Sequence, residues 1–333
     1  MIYLTNLPSF YKIRLWNEVA RRRRLLVVFY QSGAADRNAD FFRGEMHFEH
    51  VWLRGGAVRQ SLQLARLLRR RPYDELVLGG WETPALLAGA LLSPRGKNAC
   101  VVESSVYESG TGGMKGLVKK LFMRRIAKVY ACGKPQAALA GALGFRGRVV
   151  LTGGCGILNY GAQPAYEPRA AVRRFLYVGR LVEVKNLELL VRTFGEMPDL
   201  ELTIAGFGPL EGLLKALAGP NVRFLGPVDN DKLPAVYRAA DVFVLPSRVE
   251  PWGLVVEEAL NNGTPVIVSD RVGCKDDLVT AATGLTFRHD DAASLRAVVR
   301  RMCDVTFYNR LRLGVSRLDF TRSARRQVEA FFS

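Results

Sequence analysis

Twice along this chain, short apolar runs alternate with segments of helical period, and that rhythm restricts the fold more than any other feature. In the first half the runs are MIYLTN, LLVVFY, ELVLGG, NACVVES, KVYACG and RVVLTGG, with helices expected near 10–24, 57–71, 83–92 and 114–127. In the second half RRFLYVG, LELTIAG, NVRFLG, DVFVLPS and TPVIVSD alternate with NLELLVRTF, PLEGLLKAL, DKLPAVYRAA and GLVVEEALNN. Strands separated by helices of about 8 to 14 residues predict parallel sheets covered on both faces. The stretch 156–168, GILNYGAQPAYEP, has no period and is rich in Gly and Pro, as a linker should be. The expected fold is therefore α/β, with two doubly wound Rossmann-like domains facing a central cleft. Their expected spans are 1–160 and 161–310. The remainder, 311–333, ends in an arginine-rich stretch expected to form a helix that packs back toward the N-terminal domain.

The bulk numbers agree with two globular domains. The chain has 333 residues, 49% of them apolar and 24% charged, which argues against disorder. No apolar run reaches about 18 residues, so a spanning helix is not expected. The start, MIYLTNLPSF, does not have the pattern of a secretion signal. Cys100, Cys132, Cys155, Cys274 and Cys303 lack the close paired spacing of a zinc site and read as buried thiols of a reducing compartment.

Charge is distributed unevenly. Residues 1–155 hold 25 Lys and Arg against 10 Asp and Glu, whereas the remainder holds 23 against 21. Basic clusters recur at 21–24, 66–71 and 119–125. Each taken alone suits the exposed face or last turn of a helix. Together they imply a positive face in the first half, suited to an anionic membrane, an anionic substrate or a nucleic acid.

In open parallel sheets ligands bind at the carboxyl ends of the strands, where loops lead into helix N-termini. The unusual residues of the second half fall on that edge. Gly179, Arg180 and Lys185 follow one strand, Gly206, Gly208 and Pro209 the next, and SRVEPWG and SDRVG two more. Glycine turns let backbone N–H groups approach a phosphate, and Arg and Lys neutralise it. Glu250 falls in the loop before a helix that begins after Gly253, and Glu258 lies about a turn and a half into it. An ionised carboxylate only accepts hydrogen bonds and so suits vicinal hydroxyls, of which a sugar nucleotide offers two sets. Of the adjacent Glu257 and Glu258, Glu257 is expected to be the solvated one.

The pieces GRLVEVKN, AGFGP, FLGPV, ADVFVLPSRVEPWGLVVEEALNNGTPVIVSD and CKDDLV resemble the C-terminal domain of the retaining, GT-B-fold glycosyltransferases of family 4. The resemblance covers residues 176–290 well and the first half only in outline. It implies that Gly179, Arg180, Lys185, Gly206 and Gly208 surround the donor diphosphate. It implies further that Glu258 accepts from the ribose and Glu250 from the transferred sugar. The backbone of Trp252, Gly253, Leu254 and Val255 would lie near sugar and phosphate, and Val228 near the base. The donor would be an NDP-sugar, UDP- or GDP-linked, with no essential metal.

Two departures stand out in the first half. The loop after the first strand is TNLPSFY where many relatives carry a Gly-Gly pair. The segment CVVESSVYES offers Glu103, with Ser104 beside it, where many carry a histidine; Glu82 in GGWETP is a weaker acceptor-side candidate. The catalytic set implied by the resemblance is thus Glu250, Arg180, Lys185 and Glu103. The acceptor would be a glycan or lipid-linked saccharide of cell-surface polysaccharide or lipopolysaccharide synthesis. The enzyme would be cytoplasmic and peripheral on the inner membrane face, held there by the basic N-terminal domain. Two alternatives are a sugar-nucleotide epimerase of the same fold and a basic nucleic-acid-binding protein. Against the latter, the basic runs lack interleaved aromatics and no reading motif appears, so no nucleic-acid partner is expected.

Overall fold

A computed structural model describes residues 1–31 and 39–333. The chain divides into two compact units, one of Met1–Asn159 with Thr321–Ser333, the other of Tyr160–Phe320. Residues 157–169 carry neither helix nor strand.

The first unit holds a seven-stranded sheet of β1 (Ile2–Thr5), β2 (Leu26–Phe29), β3 (Glu49–Trp52), β4 (Leu76–Leu78), β5 (Asn98–Val102), β6 (Lys128–Ala131) and β7 (Arg148–Leu151). Its order is β3-β2-β1-β4-β5-β6-β7, and every pairing is parallel. The second unit holds β8 (Arg174–Val178), β9 (Glu201–Ala205), β10 (Val222–Gly226), β11 (Val242–Leu245), β12 (Val266–Ser269) and β13 (Gly284–Phe287). That sheet is also wholly parallel, in the order β10-β9-β8-β11-β12-β13. Both units are Rossmann-like, and together they are the two lobes of a GT-B fold.

The central strands are continuous apolar runs because helices cover both of their faces: β1, β2, β5, β11 and β12 are buried at every residue. The two edge strands missed in the sequence, β3 and β13, lack such runs. Glu49 and His50 of β3 are exposed, and β13 has one exposed and one half-buried residue. A helix at Lys134–Ala142 was likewise missed, since it is short and rich in Ala and Gly. On one face of the first sheet, Trp16 packs edge-on against Tyr3, Phe29 and Phe48.

The last helix, Phe320–Ala330, groups with the first unit. Phe331 stacks on Tyr130 with ring centroids 4.6 Å apart, and Gly156 N donates to Gln327 Oε1 at 2.9 Å. Arg23 donates to the Phe331 carbonyl at 2.9 Å.

Candidate active site

In each sheet the strand order reverses beside the strand that begins the unit, and loops from the two strands there part to opposite sides. Such a switch point leaves a crevice at the carboxyl edge. In the second unit it lies between β8 and β11, and the sequence candidates gather on its two sides.

After β8 the chain runs through Gly179 and Arg180, both half-buried, to a 3₁₀ turn, Glu183–Lys185. Gly206, which follows β9, has a φ of +141°, and a methyl there would overlap the Gly179 carbonyl oxygen. Two loop backbones therefore touch, which only a residue without Cβ permits. Gly208 follows in the same loop, and Leu181 N donates to Phe207 O at 2.9 Å to hold it. Tyr177, at the inner end of β8, donates its hydroxyl to the Arg180 carbonyl at 2.9 Å. Burial, reinforced by the nearby Glu250 carboxylate, raises the pKa of that hydroxyl well above the ordinary tyrosine value, so it remains a donor.

After β11, Glu250 meets Lys185 in an ion pair whose side chains are 13% and 15% exposed. This pair bridges the loops of β8 and β11. The backbone of Glu250 is fixed as well, forming a parallel bridge to Val272 and accepting from Gly273 N at 2.9 Å. Gly253, at φ +104°, turns the chain into the helix Leu254–Asn261, and no side chain caps that helix. A left-handed residue here would strain any L side chain. Leu254 and Val255 are half-buried in the first turn, where helical N–H groups lack intrahelical acceptors and favour an anion.

Asn186 joins these loops and was not singled out in the sequence. It is the single non-glycine residue with positive φ among the described residues, at 57°, and only 4% of it is exposed. Its amide nitrogen donates to the Pro246 carbonyl at 3.2 Å and to the His289 carbonyl at 2.7 Å. Its oxygen accepts from Arg248 Nε at 3.0 Å. A signal was present, since asparagine tolerates the left-handed region better than other L residues and Asn186 directly precedes a helix.

The expectation for the adjacent glutamates is half overturned. Glu257 is not solvated but 1% exposed, accepting from the Tyr160 hydroxyl at 2.5 Å and from Trp252 Nε1. Burial pushes its carboxyl up to about 7 against those two hydrogen bonds. The Trp252 indole is itself 3% exposed and tied to Glu257, which leaves its backbone as the part that faces the loop. Glu258 is half-buried and accepts from the Tyr237 hydroxyl at 2.8 Å. Burial pushes its carboxyl too up to about 7, while the Tyr237 hydrogen bond opposes the rise and Glu257 adds to it. Val228 lies half-buried just past β10, two strands from β8.

In the first unit the switch point lies between β1 and β4. Glu103, just past β5, pairs with Lys12 of the helix Phe10–Ala20 at 2.8 Å. The Lys12 side chain is 10% exposed and that of Glu103 37%. Burial disfavours the ammonium, but Glu103 with Tyr11 and Tyr3 outweighs it and raises the Lys12 pKa well above the ordinary lysine value. Glu82, past β4, is held above the ordinary carboxylate range by burial and by Glu103. Among the described residues, no three His, Cys, Asp or Glu side chains gather as metal ligands would, and no helix is long and apolar enough to cross a membrane.

Comparison with known proteins bears on the second unit most directly. The family model described as glycosyl transferases group 1 matches residues 165–310. Sulfoquinovosyl transferase SQD2 of Arabidopsis thaliana is 37% identical over 112 residues, which are 33% of this chain and only 22% of that protein. Among solved structures, the apo form of the lipopolysaccharide outer core galactosyltransferase WaaB is similar over 99% of this chain and 98% of its own, with a TM-score of 0.75 and 13% identity. Alr3699/HepE of Anabaena, solved in complex with UDP, is similar over 99% of both chains, with a TM-score of 0.72 and 14% identity. At such identities these two structures speak for the fold alone.

Proposed function

We propose, for a chain whose residues 165–310 match the glycosyl transferases group 1 family, the transfer of a sugar from an NDP-sugar to an acceptor hydroxyl with retention of anomeric configuration. The observation that carries this is the β8–β11 switch point. There the Lys185–Glu250 pair, the touching Gly179 and Gly206 backbones and the uncapped start of the helix Leu254–Asn261 belong to one sheet edge. Cations and open N–H groups suit a diphosphate, and carboxylates suit hydroxyls. Arg180 and Lys185 take the diphosphate, Glu250 the hydroxyls of the sugar and Glu258 those of the ribose. Val228 lies toward the base, and UDP and GDP are the bases to try first.

During transfer the bond from the anomeric carbon to the β-phosphate oxygen breaks, and a bond to the acceptor oxygen forms on the same face. Negative charge grows on the departing diphosphate, so Arg180 and Lys185 contribute most where that charge is greatest. The acceptor hydroxyl passes its proton to the departing phosphate, and no separate general base is required. Glu103, oriented by Lys12, and Glu82 serve the acceptor side.

The acceptor is a glycan or lipid-linked saccharide of cell-surface polysaccharide synthesis, met at an anionic inner membrane surface. The basic first half of the chain supports transfer at such a surface. Calorimetric titration with UDP, GDP, ADP and dTDP tests the donor assignment. Micromolar binding of one nucleotide is expected, and indifference to all four would remove the basis of the proposal.

A further inference from the structure

The helix Gly113–Met123 presents an outer face that the sheet does not explain. Gly116, Phe122 and Met123 are buried, whereas Met114, Leu117, Val118 and Leu121 are exposed by 77, 51, 44 and 50%. These four occupy positions i, i+3, i+4 and i+7, so they form one stripe about 100° wide along the outside of the helix. Isolated exposed apolar residues need no explanation, but a continuous stripe on one helix does.

The charges around the stripe identify its occupant. Lys115 borders it on one side, Lys120 and Arg124 on the other, and all three are exposed. Among the described residues these three make no ion pair. Lys119, by contrast, is engaged inward, donating to Ser109 Oγ at 2.7 Å and to the Gly110 carbonyl at 3.0 Å. From Ser109 to Tyr166 the chain contains nine Lys and Arg and not one Asp or Glu. Beside the end of the helix, Arg125 donates to the Ala90 and Ser93 carbonyls at 3.2 and 3.3 Å. This holds the end of the helix Pro84–Leu92 next to it. That end adds Leu91 and Leu92, exposed by 68 and 48%, to the apolar surface.

We infer that the helix Gly113–Met123 lies in the interface of an anionic bilayer, its apolar stripe among the acyl chains and its basic borders at the headgroups. This deepens, and rests on, the membrane-side acceptor proposed above. Eleven residues make a helix of about 16 Å, too short to span a bilayer and long enough to lie in its surface. A protein partner of ordinary surface polarity would leave the two basic borders without counter-charge, whereas an anionic headgroup layer supplies it along the whole helix.

Sedimentation of the full chain with phosphatidylcholine vesicles, with and without phosphatidylglycerol, tests this. The wild type is expected to sediment with the anionic vesicles and to be released by salt. Leu117→Gln with Leu121→Gln, which removes apolar surface without changing charge, should lower partitioning by about tenfold or more. Lys115→Gln with Lys120→Gln should lower it by about fivefold per residue on anionic vesicles and leave the phosphatidylcholine result unchanged. Circular dichroism and nucleotide titration should be unaffected in all variants. Undiminished sedimentation of the double-leucine variant would overturn the helix assignment while leaving a membrane-seated enzyme standing. A wild type indifferent to both vesicles would overturn both. A lipid-free dimer dispersed by the leucine substitutions would assign the stripe to a second copy and overturn the inference.

Discussion

The two units share a strand order and a switch point, yet they furnish the carboxyl edge in opposite ways. In the second unit, loop backbones touch at Gly179 and Gly206, a helix begins uncapped after Gly253, and Lys185 meets Glu250 across the switch. In the first unit the loop after β4 also turns on glycines, Gly79 and Gly80, but charged side chains gather at the edge beside them. Lys12 pairs with Glu103, Glu82 lies nearby, and no glycine pair follows β1. Backbone N–H groups recognise any phosphate, so a donor common to many acceptors favours the first arrangement. Side chains distinguish one hydroxyl pattern from another, as a variable acceptor requires. On the proposed reading, one scaffold thus holds a general edge for the donor and a particular one for the acceptor.

The comparison predicts unequal damage. Lys185→Met should hit hardest, lowering transfer by about 100- to 1000-fold in steady-state assays, because on the proposed assignment it removes a charge from the departing diphosphate. A loss confined to the acceptor KM would break the donor assignment of this edge. Next in size is Gly206→Ala, expected to cost about 2–3 kcal/mol in denaturant unfolding because its methyl would overlap the Gly179 carbonyl. The counterpart in the first unit, Gly79→Ala, places its methyl 3.0 Å from the Leu4 carbonyl at an ordinary φ and should cost about 1 kcal/mol or less. Equal costs would erase the distinction between a backbone edge and a side-chain edge.

A smaller effect is expected at Glu258. Replacement by Gln should weaken nucleotide binding by about tenfold to 100-fold, the range of a hydrogen bond to a charged group. Its pH dependence sharpens the point. On the proposed assignment ribose hydroxyls donate to the ionised carboxylate, whose pKa is raised to about 7 by burial, so affinity should increase as pH rises through 7. The Gln variant should show no such rise in calorimetry. Stability runs the other way. Glu257 and Glu258 hold protons in the folded state that the unfolded chain releases above about 4.5, so their contribution declines as pH rises from there to about 7. Thermal melts of the apo protein across that range should register it.

The smallest effect is expected from Lys12→Met. It should raise the acceptor KM by about tenfold by releasing Glu103, and leave nucleotide affinity unchanged. Impaired nucleotide binding in that variant would transfer Lys12 to the donor edge and collapse the contrast between the two units.

Much of this was legible in the sequence, for a physical reason. A buried parallel strand must be a nearly continuous apolar run, and a loop that brings backbones together must use glycine. Both are local demands, so the central strands and residues such as Gly179, Gly206 and Gly253 announced themselves. What tertiary structure alone decided are the matters set by distant partners. Whether Glu257 or Glu258 is buried depends on Tyr160 and Trp252 for one and Tyr237 for the other, across separations of 97, 5 and 21 residues. The left-handed Asn186 is held by carbonyls 60 and 103 residues away. The edge strand β3 has no apolar run and exists because β2 offers it hydrogen bonds. The final helix was expected on the first unit, but its partners there, Tyr130 and Gly156, are contacts that no local period encodes.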